Sequence, residues 1–218
     1  MIELQIADID ERGLNILCLG AHSDDIEIGC GGTILTLLEK YEIGKIVWVV
    51  FCSNEIRKKE AEESAVKFLE SVEEKEVRVM NYRDGFLPDI WSKVKEEFES
   101  LKREFNPDLI FTHTREDRHQ DHRIVSDLTW NTFRNHMILE YEIPKYDGDL
   151  TTPSLYVEVD RQKAEQKKRM ILESFQSQQN KHWLDDELLS SLMRIRGVES
   201  VSKSGYAEGF HVRKIVLK

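Results

Sequence analysis

Asn15-Ile16-Leu17-Cys18-Leu19-Gly20 and Lys45-Ile46-Val47-Trp48-Val49-Val50-Phe51-Cys52 are two short apolar runs with a helical stretch, Thr33 to Tyr41, between them, and that arrangement decides the fold. Runs this short, and in the second case rich in β-branched and aromatic residues, read as strands buried on both faces. Gly31-Gly32 stand before the helical stretch and Gly44 after it, so helix is expected only from Thr33. The alternation continues outward. Arg57 to Leu69 places Ala61, Ala65, Phe68 and Leu69 at helical spacing. Glu76 to Tyr82 reads as a strand that stops before an Asp84-Gly85 turn. Ile90 to Phe105 is helical, with Ile90, Trp91, Val94, Phe98, Leu101 and Phe105 along one face. Asn106-Pro107-Asp108 closes that helix, and Leu109-Ile110-Phe111-Thr112-His113 is a fourth strand.

Strands alternating with helices of this length imply parallel pairing through right-handed crossovers. The expected fold class is α/β, a single domain over residues 1–218 with a Rossmann-like, mostly parallel sheet and helices on both faces. After residue 122 the pattern loosens. It predicts a helix to Phe133, strands at Met137 to Tyr141 and Leu155 to Val159, helices at Arg161 to Phe175 and Asp185 to Arg196, and a closing strand from Gly209 to Leu217.

Composition narrows the function classes. The chain has 218 residues, 40% of them hydrophobic, enough for a core that needs no disulfides. Formal charge is 31 − 41 = −10, which disfavours nucleic acid and anionic membrane as partners. No apolar run reaches the ~18 to 20 residues of a membrane helix. Met1 to Arg12 carries Glu3, Asp8, Asp10 and Glu11 and lacks the basic start and apolar core of a signal peptide. Cys18, Cys30 and Cys52 form no CxxC pair and read as reduced thiols. The expectation is a cytoplasmic protein without membrane insertion.

Ligands of open parallel sheets bind at the carboxyl ends of the strands. Two such ends are dense in polar residues: Gly20-Ala21-His22-Ser23-Asp24-Asp25-Ile26-Glu27 after the first strand, and His113 to Arg123 after the fourth. Four of the 7 histidines, His22, His113, His119 and His122, lie there. The glycine spacing of a dinucleotide loop is missing, and Asp24 and Asp25 would repel a phosphate. Two acids with histidines instead suit a hard or borderline cation. A catalytic zinc takes about three protein ligands and leaves a position for water. His22, one of Asp24 and Asp25, and a histidine of the second segment supply that set. The remaining carboxylate can act as base, a further histidine can stabilise an oxyanion or protonate a leaving group, and Asp121 can orient a histidine. The bland alternative makes Asp24 or Asp25 a helix cap. Elsewhere, His136 reads as a packed histidine and His211 as a sheet-face residue, while His113 and His182 stay open. Trp48 and Trp91 read as core, and the Arg57-Lys58-Lys59-Glu60 run, apart from Arg57, as a solvated helix face.

At these residues the sequence resembles the LmbE-like, or PIG-L, family of zinc-dependent N-acetyl-sugar deacetylases. The family motif Ala-His-Pro-Asp-Asp-Xaa-Glu appears as Ala21-His22-Ser23-Asp24-Asp25-Ile26-Glu27, followed by Ile28-Gly29-Cys30-Gly31-Gly32-Thr33. Ser23 replaces the usual proline, which loosens the turn and removes no ligand. The second motif appears as His119-Gln120-Asp121-His122, with weaker echoes at Arg57 to Ala61, Phe175-Gln176-Ser177-Gln178 and Glu208-Gly209-Phe210. The resemblance implies that His22, Asp25 and His122 hold zinc. It makes Asp24 the general base, His119 the group that stabilises the oxyanion or protonates the amine, and Asp121 the residue that tunes the histidines. Arg57 and Arg118 would contact substrate. It further implies hydrolysis of an acetamide on a small N-acetylated sugar or sugar nucleotide, with assembly into homo-oligomers an option. Two other classes remain open: a non-catalytic α/β module binding a nucleotide or sugar nucleotide, and an iron oxygenase, since two histidines and a carboxylate also suit Fe(II).

Overall fold

The computed structural model describes residues 3–6, 11–179 and 181–216. The chain runs β1 (Leu14–Gly20), α1 (Asp25–Lys40), β2 (Ile43–Cys52), α2 (Glu55–Phe68), β3 (Lys75–Tyr82), α3 (Trp91–Glu104), β4 (Leu109–His113), α4 (Gln120–Thr132), β5 (Met137–Tyr141), β6 (Leu155–Glu158), α5 (Arg161–Ser174), α6 (Asp186–Glu199) and β7 (Ala207–His211). The strands make one seven-stranded sheet in the order β3-β2-β1-β4-β5-β7-β6. The first five pair in parallel, and β7 runs antiparallel to both β5 and β6. The order reverses between β1 and β4, where the crevice of a doubly wound sheet opens.

The central strands are apolar through most of their length because each feeds two cores. Ile16, Cys18, Trp48, Val50 and Phe111 pack with α1, α2, α5 and α6 on one face. Leu17, Leu19, Val47, Val49 and Ile110 pack with α3 and α4 on the other. Alternate side chains of one strand therefore serve opposite layers.

Helix α1 starts at Asp25, eight residues before the expected Thr33. Its glycines are helical because neighbours come too close for a side chain. A Cβ on Gly29 would stand 2.2 Å from the Tyr141 ring, and one on Gly32 would stand 2.9 Å from Glu208 Oε1. A Gly→Ala change in a helix normally gains about 1 kcal/mol, but here overpacking dominates. Gly29→Ala is expected to destabilise the protein by about 1–3 kcal/mol, read as a lower melting temperature. An unchanged or higher value would refute the close-approach argument.

The weak sequence echoes turn out to be clasps. Glu208 accepts hydrogen bonds from the backbone of Gly32 (2.9 Å) and Thr33 (2.7 Å) and pairs with Lys167 (2.6 Å), which also donates to Ile28 O (2.6 Å). Glu60 accepts from Ser177 N (2.8 Å) and Ser177 Oγ (2.6 Å). Glu60 is thus buried, not on a solvated face. Trp91 is also corrected: it opens α3, before the helix meets the sheet, and is 46% exposed, while Val94, Phe98 and Leu101 of the same face are buried. The expected closing strand is shorter, ending at His211 where pairing with β5 and β6 runs out; Leu217 lies outside the described residues. All three cysteines are free and buried.

Candidate metal centre

Parallel strands bring their carboxyl ends to one edge, so residues far apart in sequence meet there. His22 lies in the turn between β1 and α1, Arg57 in the first turn of α2, and Asp84 just after β3. Asp117, His119, Asp121 and His122 follow β4. Each is set by local chemistry. Asn54 caps α2 by accepting from the backbone of Ile56 (3.1 Å) and Arg57 (3.0 Å). His119 caps α4 by accepting from Asp121 N (3.3 Å). Asp24 stands at the N-cap position of α1, but its side chain makes no capping bond, so capping does not explain its presence.

Three ligand atoms form a triangle. His22 Nδ1 is 3.1 Å from His122 Nε2 and 3.4 Å from Asp25 Oδ2, and His122 Nε2 is 3.6 Å from Asp25 Oδ2. Ligands about 2.0–2.1 Å from a tetrahedral zinc are separated by about 3.3–3.4 Å. The donor set therefore fits such an ion. The far nitrogen of each histidine meets a carboxylate, as metal-bound imidazoles require. His22 Nε2 lies 3.2 Å from Asp121 Oδ2 and 3.1 Å from Asp84 Oδ1, and His122 Nδ1 lies 2.9 Å from Asp117 Oδ2.

The electrostatics point the same way. Burial opposes charging His22, yet the carboxylates of Asp25, Asp121 and Asp84 overcome it and raise its pKa well above the usual value. The cluster thus draws in positive charge. Burial, reinforced by His113, lowers His122 to about 4, which leaves it neutral at pH 7, the ligating form. Burial alone would raise Asp25, but His122, His113 and His22 pull it well below the usual carboxylate range. Asp24 is raised, burial outweighing the opposing charge of Arg57. Its Oδ1 accepts from Arg57 Nη2 (3.1 Å), while its buried Oδ2 has no partner among the described residues.

His113 belongs to the scaffold. Its Nε2 accepts from Ala21 N (3.0 Å), so its lone pair is occupied, and its ring stacks on His122 with centroids 3.9 Å apart. His119 is half-buried, with a ring nitrogen within 4.8 Å of those of His22 and His122. A second grouping, His22, Asp84, His119 and Asp121, also has ligand atoms within 4.8 Å of one another.

The structure thus brings together His22, Asp24, Asp25, Arg57, His119, Asp121 and His122. The Asp121 carboxylate meets the His22 ring and accepts from Gly85 N (2.6 Å) and Leu87 N (3.1 Å), while His119 meets only its backbone. Arg118 is exposed, and among the described residues its guanidinium makes no ion pair with the cluster. His182 stacks edge-on with Tyr146 on the surface, and His211 bonds Thr151 Oγ1 (2.9 Å). Sequence reasoning missed Asp84, Asp117 and Glu27. Asp84 follows a strand end like the two segments singled out, so the same rule would have found it. Glu27 is fully buried, and burial, outweighing the nearby Ser64 hydroxyl, pushes it up to about 8.

A family model described as PIG-L, GlcNAc-PI de-N-acetylase, matches residues 17–133, more than half of the 218. Three solved structures share the fold. N,N'-diacetylchitobiose deacetylase from Pyrococcus horikoshii aligns at 22% identity over 92% of this chain and 84% of its own, with a TM-score of 0.69. The conserved protein TT1542 from Thermus thermophilus aligns at 20% identity over 94% and 97%, with a TM-score of 0.72. GalB, the 4-carboxy-2-hydroxymuconate hydratase of Pseudomonas putida, aligns at 15% identity over 94% and 98%, with a TM-score of 0.65.

Proposed function

This chain belongs to the PIG-L family, and on that premise we propose that it is a zinc-dependent N-deacetylase acting on a small N-acetylated sugar or sugar conjugate. Residues 1–218 would form one such domain. The observation that carries the reading is the triangle of His22 Nδ1, Asp25 Oδ2 and His122 Nε2, preceded in the same turn by Asp24, whose buried Oδ2 has no partner among the described residues.

In this reading His22, Asp25 and His122 hold the metal. When bound, zinc supplies Lewis acidity that polarises the acetamide carbonyl and acidifies water. Asp24 Oδ2 takes the proton of the attacking water, and Arg57, held on Oδ1, fixes which oxygen is free. His119 donates a hydrogen bond to the developing oxyanion or a proton to the departing amine. Asp121 and Asp117 keep the two imidazoles turned toward the ion. The carbon–nitrogen bond breaks, giving acetate and a free amine.

The hydratase that shares the fold is a reminder that architecture alone does not choose a reaction. What favours deacetylation is the family assignment together with a buried base beside a three-ligand site. The deciding experiment is acetate release from a panel of N-acetylated sugars and sugar nucleotides, with zinc titrated in and oxygen removed. Zinc-dependent, oxygen-independent release is expected. Metal bound with no release from any of them would favour a binding module, and a requirement for oxygen would favour an iron oxygenase.

A further inference from the structure

We propose that Lys145 is a positioning residue for His122, acting through Asp117 by clasping together the loops that follow β4 and β5. The inference rests on the reading of His122 as a metal ligand. Asp117 is buried, and its two oxygens have separate tasks. Oδ1 accepts from His119 N (2.8 Å) and fixes the loop that leads into α4. Oδ2 is shared between His122 Nδ1 (2.9 Å) and Lys145 Nζ (2.8 Å).

Lys145 comes from the other loop and is mostly buried. Its ammonium has three protons and hydrogen-bonds three groups: Asp117 Oδ2, Asp149 Oδ1 (2.8 Å) and Ile143 O (3.3 Å). Asp149 in turn accepts from Arg118 N (2.7 Å), so the second loop grips the first at two points. A lysine serving only to brace its own loop could have ended at Asp149. Instead it shares an oxygen with the imidazole and fixes where that oxygen sits. With Nδ1–H donating to Asp117, Nε2 of His122 is the free nitrogen on the side of His22 and Asp25. Without Lys145, Oδ2 of Asp117 loses one of its two partners, and the carboxylate and the ring it holds can shift together. Lys145 lies beyond the stretch the family model matches, and nothing in the local sequence marks it.

The test compares the zinc affinity of wild type, Lys145→Met and Lys145→Arg by chelator competition, with the unfolding temperature of each metal-free protein. The Met variant should bind zinc about tenfold more weakly, at the low end for changes behind a ligand. Arginine should restore most of the loss. Labelled-histidine NMR of the metal-free proteins should show His122 as a single Nδ1–H tautomer in wild type and a mixture in Lys145→Met. Unchanged affinity and tautomer in Lys145→Met overturn the proposal. A wild type that binds no zinc overturns the metal reading itself. If Lys145→Met does not fold, Lys145→Gln takes its place; if neither folds, the lysine serves the fold and the proposal falls.

Discussion

Asp24→Asn protein is expected to bind zinc as the parent does and to hydrolyse its best N-acetylated substrate about 10² to 10⁴ times more slowly, the usual contribution of a positioned acid or base. That range corresponds to about 3–5 kcal/mol of lost transition-state stabilisation. Asparagine keeps the shape and an oxygen that can accept from Arg57, so the turn before α1 and the neighbouring Asp25 should stay in place. What it removes is the second oxygen, which is buried and has no partner among the described residues. In Asp24 burial raises the carboxyl's pKa against the pull of Arg57, which makes it a stronger proton acceptor than a surface aspartate. The check is kcat/KM together with the metal content of the purified protein. Normal turnover would remove Asp24 from the chemistry.

His122→Ala should do the opposite and lose the metal. It deletes one corner of the triangle, leaving His22 Nδ1 and Asp25 Oδ2 at 3.4 Å as the only pair. The affinity loss should exceed the ~10- to 100-fold that changes behind a ligand produce, measured by chelator competition. His122 also stacks on His113, so the unfolding temperature of the metal-free variant must be followed in parallel. Retention of zinc at parental affinity would move the ion to the grouping around His22, Asp84, His119 and Asp121. The two variants together separate holding the metal from moving the proton.

Much of this was legible in the chain because the signals are local. A strand buried on both faces reads as a near-continuous apolar run, so β1, β2 and β4 stand out without any partner being known. The rule that parallel sheets bind ligands at strand ends then directs attention to His22–Asp25 and His119–His122. Other features depend on approach. Gly31-Gly32 look like the end of a loop, and only the Phe68 ring and the Glu208 carboxylate pressing on α1 explain why glycines occupy a helix. Glu60 carries the same charge as its exposed neighbours Glu62 and Glu63, and Ser177, far along the chain, makes it a buried acceptor.

The α/β class, the family and the two loops that carry the candidate metal ligands can all be read along the chain, since they follow from hydropathy period and from residue types at short spacing. Which carboxylate stands behind which imidazole is a property of the folded molecule: Asp121 and Asp84 behind His22, Asp117 and Lys145 behind His122. Apart from Asp117 and His122, which both follow β4, those pairings join ends of different strands. Their distances are set by how the sheet twists and how each loop folds back over its edge, and no spacing along the chain encodes that.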